Sequence, residues 1–216
     1  MISIVLPTFN REKLLLRAVD SVLKQTEKDL ELIIIDNYST DNSEKEIYKI
    51  DDKRVKFIKY RNNGVIASSR NYGVNASRGK YIAFIDSDDW WEDIKLERCL
   101  EVMEDEEVDI VYHNCMIESG KGRKKTNCRH LSYRAYDDLI VNGNTLVTSS
   151  VFLKKAILDK NPFSEEENTL GWEDYELWLR LAKNEYKFKL VKETLGFYWL
   201  GEDNFDNPER VLKNIS

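Results

Sequence analysis

The chain has 216 residues, 33 basic and 39 acidic side chains and a formal net charge of −6, enough for one good-sized domain with a core and a better fit to one domain than to two. The acidic balance argues against a general nucleic-acid binder. Three cysteines, Cys99, Cys115 and Cys128, form no CxxC pair and have no metal-ligand spacing with His113 and His130, so a reducing cytosol is expected rather than a disulfide-stapled secreted fold. The opening MISIVLPTFNREK has an apolar run too short for a signal peptide, and no later run approaches a membrane span. The expectation is a cytoplasmic protein, with membrane contact limited to the periphery of the inner face.

Apolar strands alternate with amphipathic helices through the first half, the rhythm of a parallel sheet with crossover helices. Residues 3–6 read as the first strand, which Pro7 forbids from continuing as a central strand. Residues 14–23 carry helical spacing, with Leu14, Val19, Val22 and Leu23 on one face. Strands follow at 32–35 and 55–60, then a helix at 65–76 entered through Asn62-Asn63-Gly64, a fourth strand at 81–85, a helix from 92 to about 104 and a fifth strand at 108–112. From about residue 119 the rhythm breaks: GKGRKKTNCRH at 120–130 reads as a basic solvated loop, or as a loop facing anionic groups on an acceptor or membrane. Residues 146–153 read as a strand, 173–183 as a helix with Leu177, Trp178, Leu181 and Ala182 on one side, and 188–190 and 194–199 as closing strands. The expected fold is α/β, one domain over 1–216 with a central, mostly parallel sheet flanked by helices.

The polar ends of four strands converge, PTFNR, DNYSTD, RNNG and DSDD, and ligands of open α/β sheets bind just beyond such ends. The segment YIAFIDSDDWWED at 81–93 is the most informative, because an apolar strand stops in a carboxylate cluster. Asp86 and Asp88 offer hard oxygen ligands suited to Mg²⁺ or Mn²⁺, which would in turn hold substrate phosphates. The competing reading is a helix start with Ser87 or Asp88 as N-cap.

Together VLPTFNR at 5–11, DNYSTDNS at 36–43, the run from NNGVIASSR to FIDSDD at 62–89, TSSVFLKK at 148–155 and GWEDYELWLRL at 171–181 resemble the family-2, GT-A-fold glycosyltransferases of bacterial surface-polysaccharide assembly. The resemblance spans nearly the whole chain. It implies one sugar moved from a UDP- or dTDP-sugar to a glycan or lipid-linked glycan acceptor, with inversion, and it divides the domain into a nucleotide-sugar half at 1–112 and an acceptor and catalytic half at 113–216. The QxxRW pattern of processive synthases is missing, so one sugar is added per encounter.

Residue by residue, the resemblance sets Pro7, Thr8, Asn10 and Arg11 beside the nucleoside and diphosphate. It gives Asp36 the ring NH of a uracil or thymine, a role that suits an acceptor-only carboxylate; an Asx turn after the strand is the other reading. Asn63 and Gly64 would let backbone approach the base, and Arg70 resembles an arginine on the diphosphate or base side, although by sequence alone it also fits a surface ion pair. Asp86, Ser87 and Asp88 match the family's DxD element, with Asp88 on the metal and Asp86 on the ribose or metal shell; Asp89 would cap the next helix or contact the acceptor. Of Trp90 and Trp91, at least one is expected to pack under that helix rather than stack on a sugar. Asp174 matches the catalytic base, Trp172 and Glu173 the acceptor pocket, the alternative being that Glu173 and Asp174 only favour the helix dipole. Where many members carry a metal-binding His this chain has Gly201, leaving Glu202, Asp203 or water as substitutes. Two other classes share part of the pattern: a sugar-1-phosphate nucleotidyltransferase, which should show a glycine-rich basic loop that PTFNREK lacks, and a non-catalytic nucleotide-sugar-binding module, which would need no Glu173-Asp174 pair.

Overall fold

The computed structural model describes residues 1–105, 107–119, 122–131 and 134–201. Four parallel strands come from the first half: β1 (Ile2–Thr8), β2 (Leu30–Asp36), β3 (Val55–Lys59) and β4 (Tyr81–Phe84). The others are β5 (Trp90–Trp91), β6 (Ile110–Ser119), β7 (Gly122–Lys125), β8 (Phe152–Lys154) and β9 (Phe188–Leu200). Among the described residues they join in one sheet, ordered β3-β2-β1-β4-β8-β6-β9-β5, with β7 on the free flank of β6. The sheet is mostly parallel; β8 is antiparallel to both its neighbours, and β5 is antiparallel to β9.

Side-chain alternation sends each central strand's residues to two cores. Ile2, Ile4 and Leu6 of β1 and Leu32 and Ile34 of β2 join Ala83, Val111 and Phe152 on one face, covered by α1 (Glu12–Leu23) and α4 (Lys95–Met103). Val5, Ile82, Phe84, Ile110 and Leu153 point to the other, under α3 (Ile66–Ala76), α5 (Ala135–Asn142), α6 (Lys155–Lys160) and α7 (Glu173–Lys183). A short helix, α2 (Ser43–Ile47), lies between β2 and β3. Strands apolar on both faces need such double cover.

Four expectations are corrected. β1 does not stop before Pro7: it pairs with β2 through Thr8, whereas its pairing with β4 ends at Val5. Val5 O accepts from Ile85 N on the β4 side and Thr8 O from Asn37 N on the β2 side, so Pro7, in phase with Val5, turns its missing N–H to the flank where the ladder has already ended. The helix expected from residue 92 begins only at Lys95, without a side-chain cap, and Trp90 and Trp91 before it pair with Phe197 and Gly196. Residues 122–125 of the basic segment form a strand against Met116–Ser119 of β6 rather than a loop, and charged side chains on such an edge discourage further pairing. The expected strand at 146–153 is a 3₁₀ turn, Thr148–Ser150, followed by the short β8.

Candidate functional site

The loops after β1, β2 and β3 are sewn together by side-chain amides and hydroxyls. Asn10, at φ 52°, accepts the Thr40 N–H at 2.8 Å and donates its own N–H to Ser39 Oγ at 2.9 Å. Asn37 Oδ1 accepts the Asn62 N–H at 3.1 Å, and Asn62 in turn accepts the Gly64 N–H at 2.9 Å. Asn63 and Gly64 both sit at positive φ, and a Cβ at Gly64 would meet nothing, so what glycine provides there is the left-handed turn. Asp36 is fully buried at the end of β2 and accepts the backbone N–H and hydroxyl of Ser39. The carboxylate thus reaches the backbone three residues on rather than the two of an Asx turn, and with about four lone-pair positions it keeps acceptor capacity for a second partner. Pro7 and Thr8 are buried beside it, and Arg11 is half-buried at the start of α1.

At the end of β4, Asp86 and Asp88 are half-buried and Ser87 is buried. The backbone carbonyl of Asp88 accepts from Arg17 Nη2 at 2.6 Å, and that guanidinium lies 3.6 Å over the Trp90 ring, which stacks on Phe197. Asp89 does not cap a helix. It is fully buried, taking the Ser149 hydroxyl at 2.5 Å and the Trp199 N–H at 3.0 Å, and desolvation beside Asp88 and Asp86 pushes its carboxyl well above the ordinary range. Trp91 is core, its indole N–H donating to Ser149 O at 2.8 Å.

Arg70 joins the two halves of the site. It is 3% exposed, and its fork donates to Asp86 at 2.9 Å and to Glu173 at 2.7 Å across 103 residues of sequence. Burial alone would lower its pKa, but Asp86, Glu173 and Asp174 outweigh that and hold it above its ordinary value. The surface ion-pair alternative is corrected to a buried one. Gly171, at φ 81°, aims its N–H at Glu173 Oε2, 3.0 Å away, which sets the first turn of α7. Asp174 follows, half-buried, accepting from Thr148 Oγ1 at 2.8 Å. Desolvation raises its pKa, Glu173 adds to the rise, and Arg70 and Thr148 oppose it. Trp172 is partly exposed and lines a groove of about 530 Å³ with Tyr136, Tyr175 and Leu179.

Among the described residues no three His, Cys, Asp or Glu side chains gather into a metal cage. Asp86 and Asp88 nonetheless suit a hard divalent ion that takes one or two carboxylates and completes its shell with substrate phosphates and water. Gly201 is the last described residue, and Glu202 and Asp203 lie outside the described residues. Three contributors escaped the sequence reading: Arg17, Thr148 and Ser149. The last two stand in the TSSVFLKK segment, where no local spacing marks a hydroxyl for a role.

The family model for glycosyl transferase family 2 matches residues 3–163. An uncharacterized glycosyltransferase of Methanocaldococcus jannaschii is 32% identical over 95% of this chain and 73% of its own length. WfgD of Escherichia coli, a UDP-Glc:alpha-D-GlcNAc-diphosphoundecaprenol beta-1,3-glucosyltransferase, is 30% identical over 85% of this chain and 70% of its own. Other relatives are much longer; the chain spans 31% of a Rickettsia bellii glycosyltransferase. Among solved structures, Staphylococcus aureus TarS 1-349 in complex with UDP-GlcNAc superposes with a TM-score of 0.79 at 18% identity, covering 99% of this chain and 64% of that one. A mannosyltransferase from Pyrobaculum calidifontis in complex with GDP-Man and Mn²⁺ gives 0.72 at 16% identity, covering 94% and 58%. The family match and the relatives show that the chain belongs to glycosyl transferase family 2, and the superposed structures show that its fold is GT-A.

Proposed function

We propose that the chain transfers one sugar from a UDP- or dTDP-linked donor to a glycan or lipid-linked glycan acceptor, with inversion, in the assembly of a surface polysaccharide such as capsule, O-antigen or exopolysaccharide. The observation that carries this reading is the Arg70 fork, which ties Asp86 at the end of β4 to Glu173 at the start of α7 and so keeps the neighbouring Asp174 close to the strand-end cleft. Two Escherichia coli relatives, WfgD and WfaP, are UDP-Glc:alpha-D-GlcNAc-diphosphoundecaprenol glucosyltransferases, which supports both the uridine nucleotide and the lipid-linked acceptor. Within the chain, residues 1–112 form the nucleotide-sugar half and 113–216 the acceptor half. No helix among the described residues is long and apolar enough to cross a membrane; a cytoplasmic enzyme meeting its lipid acceptor peripherally fits this reading.

In this mechanism Pro7, Thr8, Asn10, Arg11, Asn63 and Gly64 border the nucleotide, and Asp36 accepts the imide N–H of the base. Asp86, with Ser87 beside it, and Asp88 would hold Mn²⁺ or Mg²⁺. A bound ion supplies neutralisation of the charge that grows on the leaving diphosphate. Asp174 takes the proton of the acceptor hydroxyl as its oxygen attacks the anomeric carbon from the face opposite the departing phosphate oxygen, and the anomeric centre inverts. Burial makes this carboxylate a stronger base than an exposed one. Arg70 acts by fixing Asp86 and Glu173, and Glu173 and Trp172 orient the acceptor.

The test is release of UDP from UDP-glucose with a GlcNAc-diphospho-lipid and Mn²⁺. Asp174→Asn should lower kcat by roughly 10²-fold or more with donor affinity kept. A fully active Asp174→Asn enzyme would refute the base, and a wild-type protein that binds UDP-glucose but never turns it over with any acceptor would favour a binding module.

A further inference from the structure

Two adjacent hydroxyls on one 3₁₀ turn reach opposite walls of the site. Ser149 Oγ donates to Asp89 at 2.5 Å and accepts the Asp86 N–H at 3.0 Å, while its carbonyl takes the Trp91 indole N–H at 2.8 Å. The turn is thereby locked to the aspartate segment that follows β4. Its neighbour Thr148, 5% exposed, donates to Asp174 Oδ2 at 2.8 Å. We propose that Thr148 is a positioning residue for the sugar transfer: its hydroxyl holds the Asp174 carboxylate in register with the nucleotide-sugar side, through a turn that Ser149 anchors to Asp86 and Asp89. The proposal rests on the reading of Asp174 as the base.

The chemistry follows from what a hydroxyl donor does to a carboxylate. With Oδ2 occupied by Thr148 and Oδ1 accepting the Tyr175 N–H at 2.6 Å, both oxygens are oriented, and the lone pairs that remain define where an acceptor proton arrives. A side chain with two rotatable bonds would otherwise sample several orientations, and misplacement of a base by about 1 Å costs rate steeply. The Thr148 bond also favours the ionised form of Asp174, against the desolvation that disfavours it. The other charged groups bearing on Asp174 are Arg70 from α3, which favours ionisation, and Glu173 from its own helix, which opposes it.

The test compares Thr148→Val, which keeps the shape and loses the hydroxyl, with Thr148→Ser, which keeps it. Two readouts are needed: the Asp174 side-chain carboxyl titration by carbon NMR, assigned by its loss in Asp174→Asn, and the kcat against pH profile with UDP-glucose and the GlcNAc-diphospho-lipid. Thr148→Val should move the carboxyl titration and the acidic limb of kcat upward by about one pH unit, the size expected for loss of one hydrogen bond to a charged group. It should lower kcat at neutral pH about tenfold with donor KM unchanged; Thr148→Ser should restore both. Thr148→Val combined with Asp174→Asn should be no slower than Asp174→Asn alone, because the hydroxyl acts only through that carboxylate. An unmoved carboxyl titration in Thr148→Val, or additive losses in the double variant, overturns the proposal. If Asp174→Asn is fully active while the titration still shifts, the base assignment fails and the Thr148–Asp174 coupling stands.

Discussion

Arg70 is the residue on which the two halves of the site depend. Its buried guanidinium satisfies two carboxylates from the two halves of the chain, the half-buried Asp86 and the buried Glu173. A planar fork serves both at once; a lysine ammonium on a flexible stem reaches one and leaves the other without its counter-charge. Arg70→Lys should therefore destabilise the fold by about 3 kcal/mol in urea unfolding and lower kcat in the fraction that remains folded, since Glu173 and the first turn of α7 lose their tether. A variant as stable as the wild type would mean the pair is replaceable. Asp36 and Asp86 stand out in the sequence because each lies where an apolar strand meets polar residues, whereas Asp174 is pointed to only by the resemblance that GWEDYELW carries. The partners of Arg70, the burial of Asp89 and the hydroxyls of Thr148 and Ser149 are not legible there, because each contact spans 16 to 110 residues and no local spacing records it.

Among the elements, α3 shows packing overriding propensity. Gly73 lies in the helix interior, where replacing it with alanine is normally worth about 1 kcal/mol of stability. A Cβ there would stand 2.4 Å from Val5 Cγ1 and 3.2 Å from its other methyl, and Val5 is fully buried on a central strand with a stiff side chain. The clash should win: Gly73→Ala is expected to lower stability by about 1–3 kcal/mol and, by lifting α3, to loosen Arg70 one turn earlier. Adding Val5→Ala should recover part of the loss, so thermal unfolding of the double variant should show less than the summed cost; simple additivity would place the strain elsewhere. Element by element, β1, β2 and β4 are readable because they are largely apolar on both faces, and α7 because its stripe is clean. The pairing of Trp90-Trp91 with β9 was hidden, since a two-residue strand exists only through its distant partner, and the joining of the two expected closing strands into β9 depends on its long pairing with β6.

At the scale of the whole molecule, a second buried charge cluster lies at the end of the parallel strands opposite the site. The site lies beyond the carboxyl ends of β1, β2 and β4, whereas Glu31, at the amino end of β2, gathers four segments. It is almost fully buried, accepts Ser3 Oγ and the Arg78 N–H at 2.7 Å each, and pairs with Lys56 at 2.8 Å; Ser3 in turn accepts the Gly79 N–H at 2.8 Å. Burial works against ionisation, but the bonds from Lys56, Ser3 and Arg78 prevail and draw the Glu31 pKa down from 4.5 to about 2. A carboxyl whose pKa is lowered on folding contributes stability that is fully present above its unfolded value and is lost as pH falls through the folded one. The contribution, about 3 kcal/mol at neutral pH, is thus complete above about pH 4.5 and gone near pH 2. Glu31→Gln should be less stable than the wild type by about that amount at pH 7, and the gap should close as pH falls from 4.5 toward 2 in urea titrations. Its kcat, measured well below both melting temperatures, should match the wild type, because no bond of Glu31 reaches the strand ends where sugar transfer is proposed. A gap that stays constant through the acid range would show that the side chain contributes by shape alone, and a lowered kcat would show that the two ends of the sheet are not independent.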